Sequence, residues 1–324
     1  MRKNILITSA GRRGLLVQIF QRELRKLVPN GCVYAVDLSP HLSSACQIAD
    51  ASFQITSVTD ANYLDQLLQL CLEKSVGIVI PTIDPEIQRL ADSRDRFLEH
   101  GIQVIVSDAD LVAECRDKRR TIGLFERYGI DSPQRVELSS QVRYPLIAKP
   151  YDGSCSHNLQ VIYESSQISD RLVSDPKMVF FEYLPHNLHD EYTVDMYFDR
   201  HGDLKCLVPR LRIETRAGEV SKGMTCRIKA LDTLRRQFRH LEGARGCLTA
   251  QFFVNKKSGD LSGIEINPRF GGGFPLSYES GANYPGWIIE EYLNGQEIDE
   301  YDDWTDRLTM LRYDAHVLVS SSAA

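Results

Sequence analysis

The sequence predicts an open parallel α/β unit followed by an α+β unit, and three observations carry that expectation. Over the first hundred or so residues, short β-like runs alternate with amphipathic helical stretches, the pattern of strands joined by crossover helices. From about Asp108 a helical stretch gives way to antiparallel signals through most of the remaining chain. Two alternating runs on either side of Ser258 are spaced to pair as a hairpin that gathers polar side chains on one face.

In the first unit the strand candidates are Asn4 to Thr8, Cys32 to Asp37, Gly77 to Pro81 and Gln103 to Val106. Leu15 to Leu27, Ala61 to Glu73 and Pro85 to Glu99 carry helical periodicity between them. The first strand runs into Ser9-Ala-Gly-Arg-Arg-Gly14 and then a helix, the place where such sheets hold ligands at strand carboxyl ends. That loop lacks G-x-G-x-x-G, so Asp37, which ends the second strand as a ribose-binding acid would, does not complete a dinucleotide fingerprint. Ser9 to Gly14 and Thr82 to Glu86 are candidates for substrate contact, with an anion welcome near Arg12 and Arg13.

A helix is expected over Ala109 to Tyr128, stopped by Gly129-Ile-Asp-Ser-Pro133. Pro145 to Pro150 and Leu159 to Tyr163 read as strands bridged by a loop of small polar residues, Tyr151 to Asn158. Lys149 closes the first of them, and Gly153, Ser154 and Ser156 let backbone N–H groups approach an anion closely, which suits a phosphate. A surface hairpin with a solvated lysine fits the same residues. Met178 to Pro185 is an apolar, buried strand that ends in Glu182 and a proline turn. Glu191 to Phe198 alternates, placing Glu191, Thr193, Asp195 and Tyr197 on one face, where a carboxylate could take two ribose hydroxyls; an ordinary half-exposed strand reads the same. Arg210, Arg212, Arg216 and Lys222, among Glu214, Gly218 and Gly223, suggest a basic edge on a flexible connection able to clamp a phosphoryl group, or a charged surface loop.

The hairpin is the most specific of these features. A turn centred on Ser258 sets Gln251 opposite Glu265, and period-two alternation adds Asn267 to their face. Ala250, Phe252, Val254, Ile264 and Ile266 are then expected on the core face. Three oxygen donors on one side of a sheet, with Arg269 just beyond, suit a hard divalent cation that also carries phosphate oxygens. A half-solvated hairpin with polar residues outward is the plainer alternative.

Composition narrows the field. The chain has 324 residues, enough for two or three units of ordinary domain size, and a net charge of -6 gives no general pull toward nucleic acid or an anionic membrane. No stretch approaches the length of apolar run that spans a bilayer, and Asn4 to Thr8 is too short for a signal-peptide core. The eight cysteines include no C-x-x-C pair and read as free thiols, so a cytoplasmic protein is expected. His186 and His189 lack helical spacing and a third ligand, which argues against zinc.

Taken in order, Lys118 in Arg-Asp-Lys, Lys149 in Ala-Lys-Pro, the Glu182-Tyr183-Leu184 hinge, Glu191, Gln251 and Glu265-Ile-Asn-Pro-Arg269 resemble the ATP-grasp superfamily, nearest its carbamoyl-phosphate-synthase-like branch. The resemblance covers nearly the whole chain. It implies a Rossmann-like pre-ATP-grasp domain over 1–110 and a two-lobed ATP-grasp fold, with a small lobe over 111–184 and a C-terminal lobe over 185–324. It further implies that Lys118, Lys149 and the loop with Gly153, Ser154 and Ser156 hold ATP phosphates, that Glu182, Tyr183 and Leu184 meet adenine, and that Glu191 takes the ribose. Gln251, Glu265 and Asn267 would bind magnesium, two ions with Glu265 bridging and manganese as a substitute. Arg269, with Arg212 and Glu265, would act on the transferring group.

The phosphate loop departs from the family's pattern, having Cys155 and His157 where further glycines are common. One ATP-grasp unit is present, which argues against carbamoyl phosphate synthesis by this chain alone. The function implied is an ATP-dependent ligase joining a carboxylate to an amine, both small molecules, through an acyl phosphate. Gly271 to Gly273 would let the backbone approach the acyl acceptor, with Ser277, Glu279 and Asn283 as pocket candidates. An ATP-binding regulatory module without turnover is the alternative, and a nicotinamide-dependent oxidoreductase rests only on the first βα turn. A homodimer is the default oligomeric expectation.

Overall fold

The computed structural model describes residues 2–138, 142–153, 158–216 and 218–320. Its first sheet is built from β1 (Asn4–Ile7), β2 (Val33–Asp37), β3 (Ala51–Gln54), β4 (Val76–Ile80) and β5 (Gln103–Val104). The strands are all parallel in the order β3-β2-β1-β4-β5. β4 is buried at all five positions, as a strand covered on both faces must be. The order reverses at β1, so the loops after β1 and β4 flank the crevice where open sheets receive ligands. β3, whose Ala-Ser-Phe-Gln run has no periodic signal, was not expected. Helix Pro85 to Glu99 is in fact two, Asp84–Asp92 and Arg94–Leu98, parted at Ser93.

Buried Glu86 fixes the loops at this crevice. Its carboxylate accepts hydrogen bonds from Ser9 Oγ, Tyr63 Oη and the backbone N–H groups of Thr82 and Ile83. Thr82 Oγ1 in turn donates to the carbonyls of Thr8 and Ser9. The two loops are thereby locked together.

The single helix expected over Ala109 to Tyr128 breaks at Asp117, giving Ala109–Arg116 and Lys118–Arg127. Asp117 has an extended backbone, and its side chain accepts the N–H of Arg119 at 2.9 Å, capping the second helix. Gly129, at φ 65°, ends it as expected.

A second, small sheet follows, with β6 (Leu146–Pro150), β7 (Gln160–Ile162) and β8 (Met178–Glu182) in the antiparallel order β7-β6-β8. Its buried core is Leu146, Ala148, Ile162 and Phe180. The third sheet is antiparallel, ordered β13-β12-β9-β10-β11-β14, from β9 (His189–Phe198), β10 (Leu204–Arg216), β11 (Glu219–Thr225), β12 (Gly246–Asn255), β13 (Leu261–Asn267) and β14 (Thr309–Leu311). The basic segment expected on a flexible connection is thus paired in β10 and β11, with register shifts on either side of Glu214. β9 is buried on both faces from Tyr192 onward, because it is paired on both edges and covered by the helix Tyr284–Asn294. Tyr197 therefore gives its hydroxyl to Glu291 in the core at 2.8 Å and does not face a ligand.

Candidate active site

Strand register assembles the site. Gln251 pairs with Glu265, as the turn around Ser258 requires, and with Thr193 on its other side, which pairs with Arg210. One row across four strands thus reads Glu265, Gln251, Thr193, Arg210. Between Gln251 and Phe252 the β12–β13 register shifts, leaving Ile264 without a partner of its own. Ala250, Phe252 and Ile266 are core as expected, whereas bulged Ile264 turns to the wall of the large cavity. Val254 is only half-buried.

Gln251 Nε2 and Asn267 Nδ2 both donate to Glu265 Oε1, at 2.9 and 3.1 Å. A half-turn of either amide presents its oxygen instead, so the trio can offer a hard cation one carboxylate and two neutral oxygen donors. Lys118 Nζ lies 3.6 Å from Glu265 Oε2 and also donates to the carbonyl of Gly153. The break at Asp117 places it there, and the Lys118 N–H is bonded to the Tyr151 carbonyl at 2.9 Å.

A cavity of about 270 Å³ opens between the small sheet and this edge. Lys118, Lys149, Gly153, Glu182, Tyr183, Leu184, Glu191, Arg212, Gln251 and Glu265 all line it, so most of the expected residues converge on one space. Ser154 and Ser156, like Cys155 and His157, lie outside the described residues. Ile147, Val161, Phe181, Phe253 and Ile264 supply apolar walls that fit a flat aromatic base. Lys149 stands 4.9 Å from the Phe181 ring centroid. Burial pushes its ammonium down to about 8, against the pull of Glu265 and with the help of Lys118. It is a cation poorly served by water and suited to an anion. Glu182 Oε2 accepts the Gln134 N–H at 3.1 Å, bracing the hinge that Tyr183 and Leu184 continue. Glu191 meets Arg212 Nε at 3.1 Å, while Arg212 Nη2 donates to the Gly218 carbonyl.

Asp195, an expected partner of Glu191 on the ligand face, is instead fully buried. It receives Arg210 through Nε at 2.8 Å and Nη2 at 3.0 Å, Thr249 at 3.1 Å and Ser277 at 2.6 Å. Ser277 is consequently structural. So are Glu279, which faces Arg22 at the surface, and Asn283, which caps the helix Tyr284–Asn294. Arg216 pairs with Glu214 and Lys222 likewise, both away from the cavity.

Beyond the edge lies a second pocket of about 90 Å³. Arg13, Arg210, Arg212, Arg269, Glu219, Asn267 and Gly271 to Gly273 line it, with Arg212, Gly218, Gln251 and Glu265 shared between the two spaces. Arg269 is held by Asp84, the first residue of the helix after β4, Nε to Oδ1 at 2.6 Å and Nη2 to Oδ2 at 2.8 Å. Burial works to raise the Asp84 carboxyl, but the hydrogen bonds and charge of Arg269 outweigh it and hold it below the usual carboxylate range. Arg13 reaches in from the loop after β1, whereas Arg12 stays 86% exposed. The sequence points to the segments Ser9 to Gly14 and Thr82 to Glu86, which supply Arg13 and Asp84; the pairing of Asp84 with Arg269, the place of Glu219 and the inward turn of Arg13 alone are not legible in it.

Two family models match the sequence, the N-terminal domain of PylC-like proteins over residues 5–105 and "ATP-grasp in the biosynthetic pathway with Ter operon" over residues 174–314. No curated protein matches it. Among solved structures, a biotin carboxylase βγ-ATP complex from Campylobacter jejuni superposes with TM-score 0.72 at 16% identity, over 95% of this chain and 74% of that one. The biotin carboxylase domain dimer of Hydrogenobacter thermophilus 2-oxoglutarate carboxylase, with MgADP, ADP and bicarbonate, gives 0.69 at 16% identity, over 95% and 73%. An L-amino acid ligase from Bacillus licheniformis gives 0.67 at 14% identity, over 90% and 74%.

Proposed function

We propose that this chain, a single-unit ATP-grasp protein, is an ATP- and magnesium-dependent ligase that joins a small carboxylate to an amine and releases ADP and phosphate. The observation that carries the reading is the shared wall: Gln251, Glu265 and Arg212 border both the large cavity and the arginine-lined pocket, with Asn267 on the pocket side. A γ-phosphoryl group at that wall would have ATP behind it and an acceptor before it. The βγ-ATP, MgADP and bicarbonate of the solved neighbours, and the amino acid ligase among them, support a nucleotide on one side and a carboxylate-type acceptor on the other.

In this reading the adenine lies among Phe181, Tyr183, Leu184 and Ile264, with Glu191 at the ribose. Lys149 and Lys118 hold the phosphates, together with Gly153 and its loop. Magnesium, held by Gln251, Glu265 and Asn267 as two ions bridged by Glu265, would supply neutralisation of phosphate charge. Arg269 and Arg212 face the acceptor, where fixed cations stabilise charge that gathers on the transferring phosphoryl group. The carboxylate oxygen takes that group from ATP, ADP leaves, and an amine then displaces phosphate as the amide forms. The units of such a ligase run over 1–110, 111–184 and 185–324.

The test supplies ATP, magnesium, an amine and a panel of carboxylates, and follows ADP and phosphate. Acceptor-dependent ADP release, trapped as a hydroxamate when hydroxylamine replaces the amine, is the expected result. AMP and pyrophosphate would move the protein to adenylate chemistry, and ATP binding with no product for any acceptor would leave it a nucleotide-binding module.

A further inference from the structure

The four arginines of the acceptor pocket are not equivalent. Arg269 has Asp84, Arg212 has Glu191, and two nitrogens of Arg210 have Asp195. Two cationic groups are left over. Arg210 is 1% exposed, and its Nη1 is buried with no hydrogen-bond partner among the described residues. The Arg13 side chain forms no hydrogen bond or ion pair with any described residue; it is half-buried, with the charges of Arg269 and Glu219 both acting on it. Glu219, the carboxylate of the same pocket, is engaged by Arg312 at 3.1 Å and Arg12 at 3.9 Å, and against the upward push of burial the Arg13 charge also helps to hold its carboxyl below the usual range without a direct pair to it.

Two consecutive glycines hold these groups in place. A Cβ on Gly272 would stand 3.2 Å from Glu219 Oε1 and 3.4 Å from Arg13 Nη1, and one on Gly273 would collide with Arg210 Nη1. The two guanidinium groups, one from each side of the crevice, therefore lie along a stretch of backbone that only glycine leaves open. A buried donor without an acceptor is costly, roughly 1–3 kcal/mol and more when charged, and an anion of the substrate would remove that cost.

We propose that Arg13 and Arg210 Nη1 form a second anion subsite and that the acceptor is a small dianion. One carboxylate, toward Arg269, Arg212 and Glu265, receives the phosphoryl group. A second anionic group, carboxylate or phosphate, is seated at Arg13 and Arg210 Nη1. The pocket's volume, a third of that of the nucleotide cavity, limits the acceptor to a short chain. A zwitterion with its ammonium on Glu219 is the competing occupant; it is disfavoured because Arg312, Arg13 and Arg12 already surround Glu219 and Arg210 Nη1 would stay unmatched.

This inference rests on the ligase reading, and binding separates the two. Protein loaded with magnesium and a non-hydrolysable ATP analogue is titrated calorimetrically with succinate, 3-phosphonopropionate, butyrate and 4-aminobutyrate. One of the two dianions is expected to bind about 30-fold more tightly than butyrate, the size of a charge-assisted hydrogen bond or two. Arg13→Met should erase that advantage while leaving butyrate and analogue affinities within about threefold, Arg13→Lys should restore part of it, and Arg12→Ala should leave it intact. Equal binding of butyrate, preference for 4-aminobutyrate, no binding of either dianion, or an equal loss for every ligand in Arg13→Met would overturn the proposal. Arg13-dependent dianion binding without ADP release under any acceptor would sink the ligase and keep the subsite. ADP release with butyrate as good as with succinate would do the reverse.

Discussion

The six-stranded and three-stranded sheets meet across the nucleotide cavity, and they are held by different means. The larger has strands of 10, 13 and 10 residues in β9, β10 and β12, and fixes its charged groups by pairing them: Asp195 with Arg210, Glu191 with Arg212. The smaller has no strand longer than 5 residues and a buried core of four side chains, and it carries Lys149 on a ring face. One is a preorganised floor, the other a lightly secured roof of the kind that closes on a ligand.

The largest test of that contrast is Glu265→Gln on the floor. It should lower kcat by at least about 10³-fold, by weakening charge neutralisation at the transferring group, with the urea midpoint nearly unchanged. A loss below tenfold in the ADP-release assay would remove Glu265 from the centre of the site. Next, Arg210→Met should cost about 3–5 kcal/mol in urea denaturation, because it leaves Asp195 charged and buried without its counter-ion. The equivalent change in the roof, Lys149→Met, should have the opposite sign on stability, since it removes a buried ammonium with no paired carboxylate. It should weaken ATP binding by about 10–100-fold, read by calorimetry.

Lys149 also sharpens the comparison through pH. Its folded value of about 8 lies below its ordinary 10.5, so between these values the unfolded chain binds more protons than the folded one. Stability of the free protein should rise as pH moves through that window, a gain absent from Lys149→Met. If ATP binds the Lys149 ammonium as proposed, its affinity should fall above about pH 8, with proton uptake on binding seen as a dependence of the heat on buffer ionisation. The smallest effect separates the sheets by mobility: Ile162→Val in the roof and Ile266→Val in the floor should each cost about 0.5–1.5 kcal/mol. Amide exchange should quicken locally only in the roof.

Much of this was legible because it is local. The Gln251–Glu265 register follows from turn residues and alternation within one hairpin, and Lys149 and Glu182 end strands whose apolar runs announce them. The break at Asp117 was missed because its flanks are both good helix, and only the cap bond to Arg119 reveals it. Ile264 was assigned to the core because alternation assumes an unbroken ladder, and the bulge beside Gln251 is not written in residue type. Asp195 was placed on the ligand face because alternation gives the face but not the depth. The segment of Asp84 is legible as a strand end facing a ligand, but its partner is not: it meets Arg269 across 185 positions, and nothing near either residue names the other.

That last contact divides labour within the molecule. The residues proposed for phosphoryl transfer sit mainly on the hairpins of the larger sheet, whereas the loops after β1 and β4, with the helix starts they lead into, bring Arg13 and Asp84 to the arginine-lined pocket from the parallel sheet. Exchanging those two loops, with their Glu86 lock, would alter what the pocket accepts while leaving the nucleotide cavity intact. Selectivity in this chain can therefore be inherited, or grafted, as a separate part.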